Sequence, residues 1–347
     1  MDERRGTEVI VRELLMANLS ETHAELTAVA AGADLLVAHP LTVSVPLVAE
    51  RSNLPWASTV LAPMLFFSAT DLPVMPQAPL LRHAGKLGPW AARRVVGLAN
   101  RMTKDWFEPV HRLRAQLGLP PAGHPMFDGM FSPRLTLALF SRVLGEPQPD
   151  WPPHVRTTGF VFYNGPDAAL APELETFLAA GPPPVVFTLG TSAVGAAGSF
   201  YHESAAAVGR LGVRAVLLIG AFEQNRPAEL TRDVLVVDRA PHQLLFPRAS
   251  AIVIHGGIGT TGQALRSGRP VLVVPHGHDQ FDNAHRVTKL GVARTLHPKR
   301  YRAARVAREL ARLLGDDYRA RAESVAAIVR TEGGAAAASE SLEELIR

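Results

Sequence analysis

Cysteine is absent from this sequence. That removes disulfides, thiolate-bound zinc and thiol nucleophiles together, and it agrees with a reducing cytoplasm. Long apolar runs are absent too: none approaches the roughly 18–20 residues needed to span a bilayer. The charged opening, residues 1–9, has no apolar stretch of signal-peptide type behind it. A cytoplasmic chain without a transmembrane segment is expected, with peripheral membrane contact left open. There is no internal repeat beyond a shared rhythm of strands and helices.

What is present is ordinary globular composition: 47% hydrophobic and 20% charged residues over 347 positions, room for two domains. The net charge of +4 and a pI near 9.7 raise nucleic-acid binding as a reading. The densest basic stretch, Lys299–Arg321, argues against it. Glu309, Asp316 and Asp317 interrupt it, and Val306, Leu310, Leu313 and Leu314 recur at helical spacing, so it reads as an amphipathic surface helix. No nucleic-acid partner is expected.

Along the chain, strands alternate with helices. Residues 8–31 read as helical with a break near Ser20, and Ala33–Ala38 as a short buried strand ending at His39-Pro40. A helix over 44–52 and a strand Trp56–Leu61 follow. Residues 62–133 are less regular, with helical pieces near 89–103 and 105–117; Trp90 and Trp106 there suit either a pocket wall or ordinary packing. Leu135–Phe140 and Val155–Phe162 are further strands, after which proline and glycine cluster between 163 and 183. Beyond that boundary Val185–Leu189, Val213–Ile219, Val234–Val237, Ala251–Ile254 and Val271–Val274 alternate with helices over about 199–211, 260–267 and 280–290.

This pattern predicts an α/β protein of two doubly wound parallel-sheet units. The divisions are residues 1–165, a linker 166–182, a second unit 183–330 and a helical tail 331–347. The first unit offers about four strands, begins inside a helix and opens on no glycine-rich strand-to-helix turn. It is expected to be incomplete, with apolar surface exposed where further strands would pair.

In open α/β sheets, ligands bind beyond the carboxyl ends of the strands. Three such ends carry unusual residues. Leu189-Gly190-Thr191-Ser192 joins a tight glycine turn to two hydroxyls at a helix start, as phosphate cradles do, although a capped loop looks the same. Ile254-His255-Gly256-Gly257-Ile258-Gly259-Thr260-Thr261-Gly262 runs from an apolar strand through glycines into a helix. The positive end of that helix favours an anion, and His255 is placed to donate to a phosphate oxygen. Pro275-His276-Gly277-His278-Asp279-Gln280 ends on a carboxylate and an amide that can bracket adjacent sugar hydroxyls; Asp279 would equally cap the next helix.

Two rival readings exist. Gly257-x-Gly259-x-x-Gly262, with Asp279 about 20 residues on, matches the dinucleotide fingerprint. It comes, however, after three or more strands instead of opening its unit. His276, His278, Asp279, Asp282 and His285 form a ligand-like cluster of the kind a metal hydrolase uses. Only part of that cluster could face one ion, and no second ligand group accompanies it.

Taken together, the stretches Ala240-Pro241-His242-Gln243-Leu244-Leu245, Ile254 to Thr261, Gly268-Arg269-Pro270, Val274-Pro275 and Asp279-Gln280-x-x-Asn283 carry a resemblance in order and spacing. They resemble the donor-binding signature of the nucleotide-sugar-dependent glycosyltransferases that include plant flavonoid, bacterial macrolide and sterol glucosyltransferases. Plant members have Trp and Asn where Ile258 and Gly259 stand, so the chain is similar to the bacterial and sterol branch. The resemblance is strong over about 183–330 and weaker over 1–165.

The resemblance implies a GT-B architecture of two Rossmann-like domains, the N-terminal one incomplete. It implies a hexosyltransferase that moves a hexose from a UDP- or dTDP-sugar to a hydroxyl of a small lipophilic acceptor, with inversion and with neither metal nor cofactor. By position it sets His255 on the donor diphosphate, and Gly257, Gly259, Thr260 and Thr261 on the phosphates. Gly190, Thr191 and Ser192 would close the other side, with Arg239 and His242 at the nucleobase. Gln263 would meet the ribose, where plant members have a glutamate, and Asp279 and Gln280 the sugar. The family's catalytic base is a histidine near the start of the first domain, oriented by an acid. No matching glycine-histidine segment exists here, and His39 stands where the acid would, as a candidate substitute base or acceptor contact. The alternative is a donor-binding remnant with impaired catalysis.

Overall fold

The computed structural model describes residues 6–75, 87–165 and 168–347. The start of the charged opening, part of the irregular 62–133 stretch and the first two residues of the expected linker lie outside them. The chain divides into two compact units: Asp2–Val161 together with Gly333–Arg347, and Phe162–Glu332.

The first unit is built on four short parallel strands in the order β1-β2-β3-β4, namely Leu36–Ala38, Trp56–Val60, Thr136–Ala138 and Val155–Thr157. Leu36 pairs with Trp56, Ser58 with Thr136, and Thr136 with Val155. The buried Ser58 and Thr136 hydroxyls satisfy one another across the strands at 2.7 Å. Helix Val45–Ser52 covers β1 with Val45, Leu47, Val48 and Ala49 buried, and it stops where Asn53 turns left-handed at φ 53°. The expected N-terminal helical pair is there, but Ile10–Met16 is wound as a π-helix, and the break before Leu19–Val29 falls at Asn18.

The tail is not a separate appendage. Gly334–Ile346 is a helix whose Ala338, Leu342 and Leu345 pack with Ala57, Leu135 and Leu137. Its entry is set by Gly334, at φ +53°, whose N–H donates to the Thr158 carbonyl at 2.7 Å.

The second unit carries six parallel strands: β5 Val185–Thr188, β6 Ala215–Leu218, β7 Val234–Val237, β8 Ala251–Ile254, β9 Val271–Val273 and β10 Ala293–Thr295. Their order is β10-β9-β8-β5-β6-β7. Every residue of β5, β6, β8 and β9 is buried. Burial on both faces is why these strands read as unbroken apolar runs. The sixth strand, β10, is one more than the sequence predicts; its Ala-Arg-Thr is short and polar and leaves no such run. The stretch expected to be a linker contains a helix, Pro172–Ala179, with Leu174 and Leu178 buried and Glu173 and Glu175 in its first turn. Because β5 lies centrally, successive strands run outward from it on either side. The chain therefore reverses direction across the sheet between β5 and β8, the position where open α/β sheets form a crevice. Among the described residues no helix is long and apolar enough to cross a membrane.

Candidate functional site

The loops that leave β5, β8 and β9 emerge side by side at the carboxyl edge of the second sheet, because β8 pairs with both β5 and β9. After β5 the chain turns through Gly190 at φ +59° into the single helical turn Gly190–Ala193, and the Gly190 N–H donates to Thr188 Oγ1 at 3.1 Å. Thr191 and Ser192 are exposed on that turn. After β8, His255, Gly256 and Gly257 lead into helix Ile258–Ser267, whose N-cap Gly257 has no side chain to occupy the free amides of the first turn. Thr260 is half-buried there, Gly259 is exposed, and the Thr261 hydroxyl is enclosed without a partner.

The β5 and β8 loops meet on one imidazole. A Cβ placed on Gly190 would lie 2.5 Å from His255 Cε1, and one on Gly257 would lie 2.3 Å from its Nε2. Any larger residue at either position would displace the ring. His255 is 4% exposed, and its Nδ1 has no hydrogen-bond partner in the protein. Burial pushes its pKa down to about 4, helped by the neighbouring His276 and His242. The ring is therefore neutral at pH 7 and can donate one N–H without carrying charge.

The β8 and β9 loops are joined by Asn283. Its Nδ2 donates to the Gly256 carbonyl at 2.9 Å and to Asp279 Oδ2 at 2.7 Å. Asn283 belongs to the sequence pattern without a role of its own there; its four-residue spacing from Asp279 on a helix is the signal that pairs the two. Asp279 sits at the N-cap of helix Gln280–Lys289 without making the side-chain cap expected of it, its carboxylate being turned to Asn283. Burial raises its pKa. Gln280 is 3% exposed, and its carbonyl accepts from the N–H groups of His276 at 2.7 Å and Gly277 at 3.1 Å. That carbonyl shapes the loop and leaves the amide nitrogen as the group free to donate.

Three buried polar atoms without a protein partner fall on these loops and the helices they open: His255 Nδ1, Thr261 Oγ1 and Asn283 Oδ1. Native interiors rarely leave such atoms unpaired, and a local group of them marks a place for water or ligand. Further out, His242 stacks on Phe246 at 4.3 Å between ring centres, and burial pushes its pKa down to about 4. Arg239 is exposed. Gln263 lines a polar hollow of about 270 Å³ with Gln243, Arg266 and Arg330.

Residues 203–345 match the family model described as erythromycin biosynthesis protein CIII-like, C-terminal domain. O-mycaminosyltylonolide 6-deoxyallosyltransferase of Streptomyces fradiae is 35% identical over 270 residues, 76% of this chain and 60% of that protein. Vancomycin aglycone glucosyltransferase of Amycolatopsis orientalis is 33% identical over 67% of this chain and 56% of its own length. Residues 203–345 thus match this family's C-terminal domain, and the chain is similar to glycosyltransferases over most of its length. It spans about 60% of the length of the curated relatives it matches. The glycosyltransferase SnogD from Streptomyces nogalater superposes with a TM-score of 0.67 at 22% identity, covering 100% of this chain and 86% of that one. The glycosyltransferase VinC in complex with DTDP superposes at 0.68 with 22% identity, covering 99% and 83%. The fold is thus that of GT-B glycosyltransferases.

One reading of the sequence changes. The metal cluster does not form: His276 Nδ1 is 2.7 Å from the Val274 carbonyl, and Asp282, fully buried, holds Arg286 at 2.6 Å. Among the described residues no group of three or more histidines and carboxylates could hold a metal ion. The metal-hydrolase reading is therefore withdrawn. In the first unit, His39 follows β1 and lines, with Trp56, Val110 and Arg114, a pocket of about 40 Å³. Its Nδ1 accepts the Leu41 N–H at 3.2 Å, and burial lowers its pKa. The proton of the neutral ring is thereby assigned to Nε2, which makes that nitrogen a donor. Trp90 is 70% exposed, whereas Trp106 is half-buried in the cluster around Phe107 and Val110.

Proposed function

We propose that this chain transfers a hexose from a UDP- or dTDP-sugar to a hydroxyl of a small lipophilic acceptor, with inversion at the anomeric carbon. The observation that carries the reading is the convergence of the β5 and β8 loops on the neutral His255, with the β9 loop tied in through Asn283. An uncharged imidazole N–H and the free amides of a helix start can stabilise a leaving diphosphate as its charge grows, as oxyanion-hole donors do. Asp279 and the Gln280 amide stand beside them for the sugar hydroxyls. One structural neighbour, VinC, is in complex with DTDP, which carries a diphosphate of the kind these donors suit.

The direct test is titration of the purified chain with thymidine and uridine diphosphate. His255→Ala is expected to weaken binding by about 1–3 kcal/mol, the range for a hydrogen bond to a charged group. Unchanged affinity would remove His255 from the site.

A second reading, a donor-binding module with impaired transfer, is favoured by one observation. His39 Nδ1 is engaged by Leu41, so its neutral Nε2 already carries a proton and cannot take one from an acceptor hydroxyl. Diphosphate binding with no sugar transfer to any hydroxylic acceptor would favour this second reading.

A further inference from the structure

The sequence contains a basic stretch free of acidic residues. Residues 72–104 contain Arg82, Lys86, Arg93, Arg94, Arg101 and Lys104 and no aspartate or glutamate, a local charge of +6 against +4 for the whole sequence. The second half of this stretch is helix Pro89–Thr103, in the first unit, with Ala92 as its one buried residue.

The same helix carries the densest group of water-exposed apolar side chains among the described residues. Leu98 is 56% and Met102 70% exposed one helical turn apart, Trp90 is 70% exposed, and Leu87 just ahead of the helix is 79% exposed. On a helical projection Ala92, Val96 and Thr103 share the inner side, Leu98 and Met102 share an outer apolar side, and Arg93, Arg94 and Arg101 gather on the third, around Trp90. The Arg94 guanidinium lies over the Trp90 ring at 5.1 Å. Arg93, Arg94, Arg101 and Lys104 form no ion pair with a carboxylate of the described residues.

We propose that helix Pro89–Thr103 seats the first unit on an anionic lipid surface. A helix with an apolar side and a basic side that carries a tryptophan lies in the plane of a membrane interface, apolar side inward. The arginines reach the phosphates while their stems stay along the acyl boundary. Such a surface uses both halves of the patch. A polyanion such as DNA would engage the arginines but leave Leu87, Leu98 and Met102 in water, and an apolar groove on a protein would leave three arginines without partners.

The experiment is flotation of the chain with phosphatidylcholine vesicles, either pure or with about one-third phosphatidylglycerol. Binding is expected to the anionic vesicles and to be at least ten-fold weaker on the neutral ones. Arg93→Gln, Arg94→Gln and Arg101→Gln combined should weaken it roughly hundred-fold, at about five-fold per charge near an anionic surface. Trp90→Ser, Leu98→Ser and Met102→Ser combined should abolish it with all charges retained. These side chains are exposed, so folding should survive; thermal melts check that, and the single variants Arg94→Gln and Leu98→Ser give a second readout. Absence of binding, equal binding to both vesicle types, or indifference to the serine variant overturns the proposal. Tighter binding to duplex DNA than to anionic vesicles would replace it with a nucleic-acid surface.

Discussion

At the scale of single residues, His255 shows how a backbone can tune a side chain. Two glycines from different loops let the backbone approach its ring closely, and burial disfavours the charged imidazolium. The consequence is measurable without any ligand. Histidine in an unfolded chain titrates near 6.5, whereas here burial holds the value to about 4. Between those two values the unfolded chain binds more protons than the folded one. The stability contribution of the neutral ring is therefore fully present above about pH 6.5 and is lost as the pH falls towards 4. From pH 7 to pH 5 the loss from this group is about 2 kcal/mol, at about 1.4 kcal/mol per unit. Denaturant unfolding at both pH values should show it. His255→Gln should flatten the slope by about that amount, and His242, shifted in the same direction, should leave a residual slope. A variant that keeps the full wild-type pH dependence would mean that His255 is not held neutral by burial.

At the scale of elements, the candidate site depends on loops keeping their spacing, and the Asn283 side chain holds two of them together. It is fully buried. Asn283→Ala would leave the Gly256 carbonyl and the Asp279 carboxylate without their shared donor, at a cost of about 1–3 kcal/mol in folding. Asn283→Asp should cost more, because it sets a second carboxylate against Asp279. Both should also weaken diphosphate binding. If melts and titrations of Asn283→Ala match the wild type, the two loops keep their places independently. The 279–283 spacing was legible in the sequence because a helix brings such pairs together. The partner Gly256, 27 residues upstream, was not, because that contact exists only once β8 and β9 are paired. The same distinction explains the elements. Buried runs such as Val185–Thr188 and Ala251–Ile254 announced themselves by uninterrupted apolar residues. Helix Pro172–Ala179 was obscured by the prolines and glycines around it, and β10 by its polar Ala-Arg-Thr.

At the scale of the whole molecule, sequence order and structural grouping part company at the end of the chain. Residues 331–347 read as a tail behind the second unit, yet Gly333–Arg347 belongs with the first. Periodicity can show that helix Gly334–Ile346 has an apolar side; it cannot say which sheet that side meets. The structure answers with Ala57, Leu135, Leu137 and Ala338 in one cluster, flanked by Leu342 and Leu345. Arg156 in β4 adds an exposed ion pair to Glu344 at 2.5 Å, which contributes little on its own. The helix therefore acts as a lid on the β2 and β3 face. Removing Gly333–Arg347 would return Ala57 and Leu137, now at most 1% exposed, to water. Together with the two leucines lost from the helix, the first unit should lose about 2–4 kcal/mol of stability, counting partial burial of each side chain. The second unit keeps its own sheet, core and candidate-site loops in such a truncation. Calorimetry should then show the first unit's transition shift to lower temperature, while titration with thymidine diphosphate gives the affinity of the intact chain. An unshifted transition would mean that the helix packs too loosely to support the first unit. Loss of diphosphate binding would mean that the two units do not keep their stability apart.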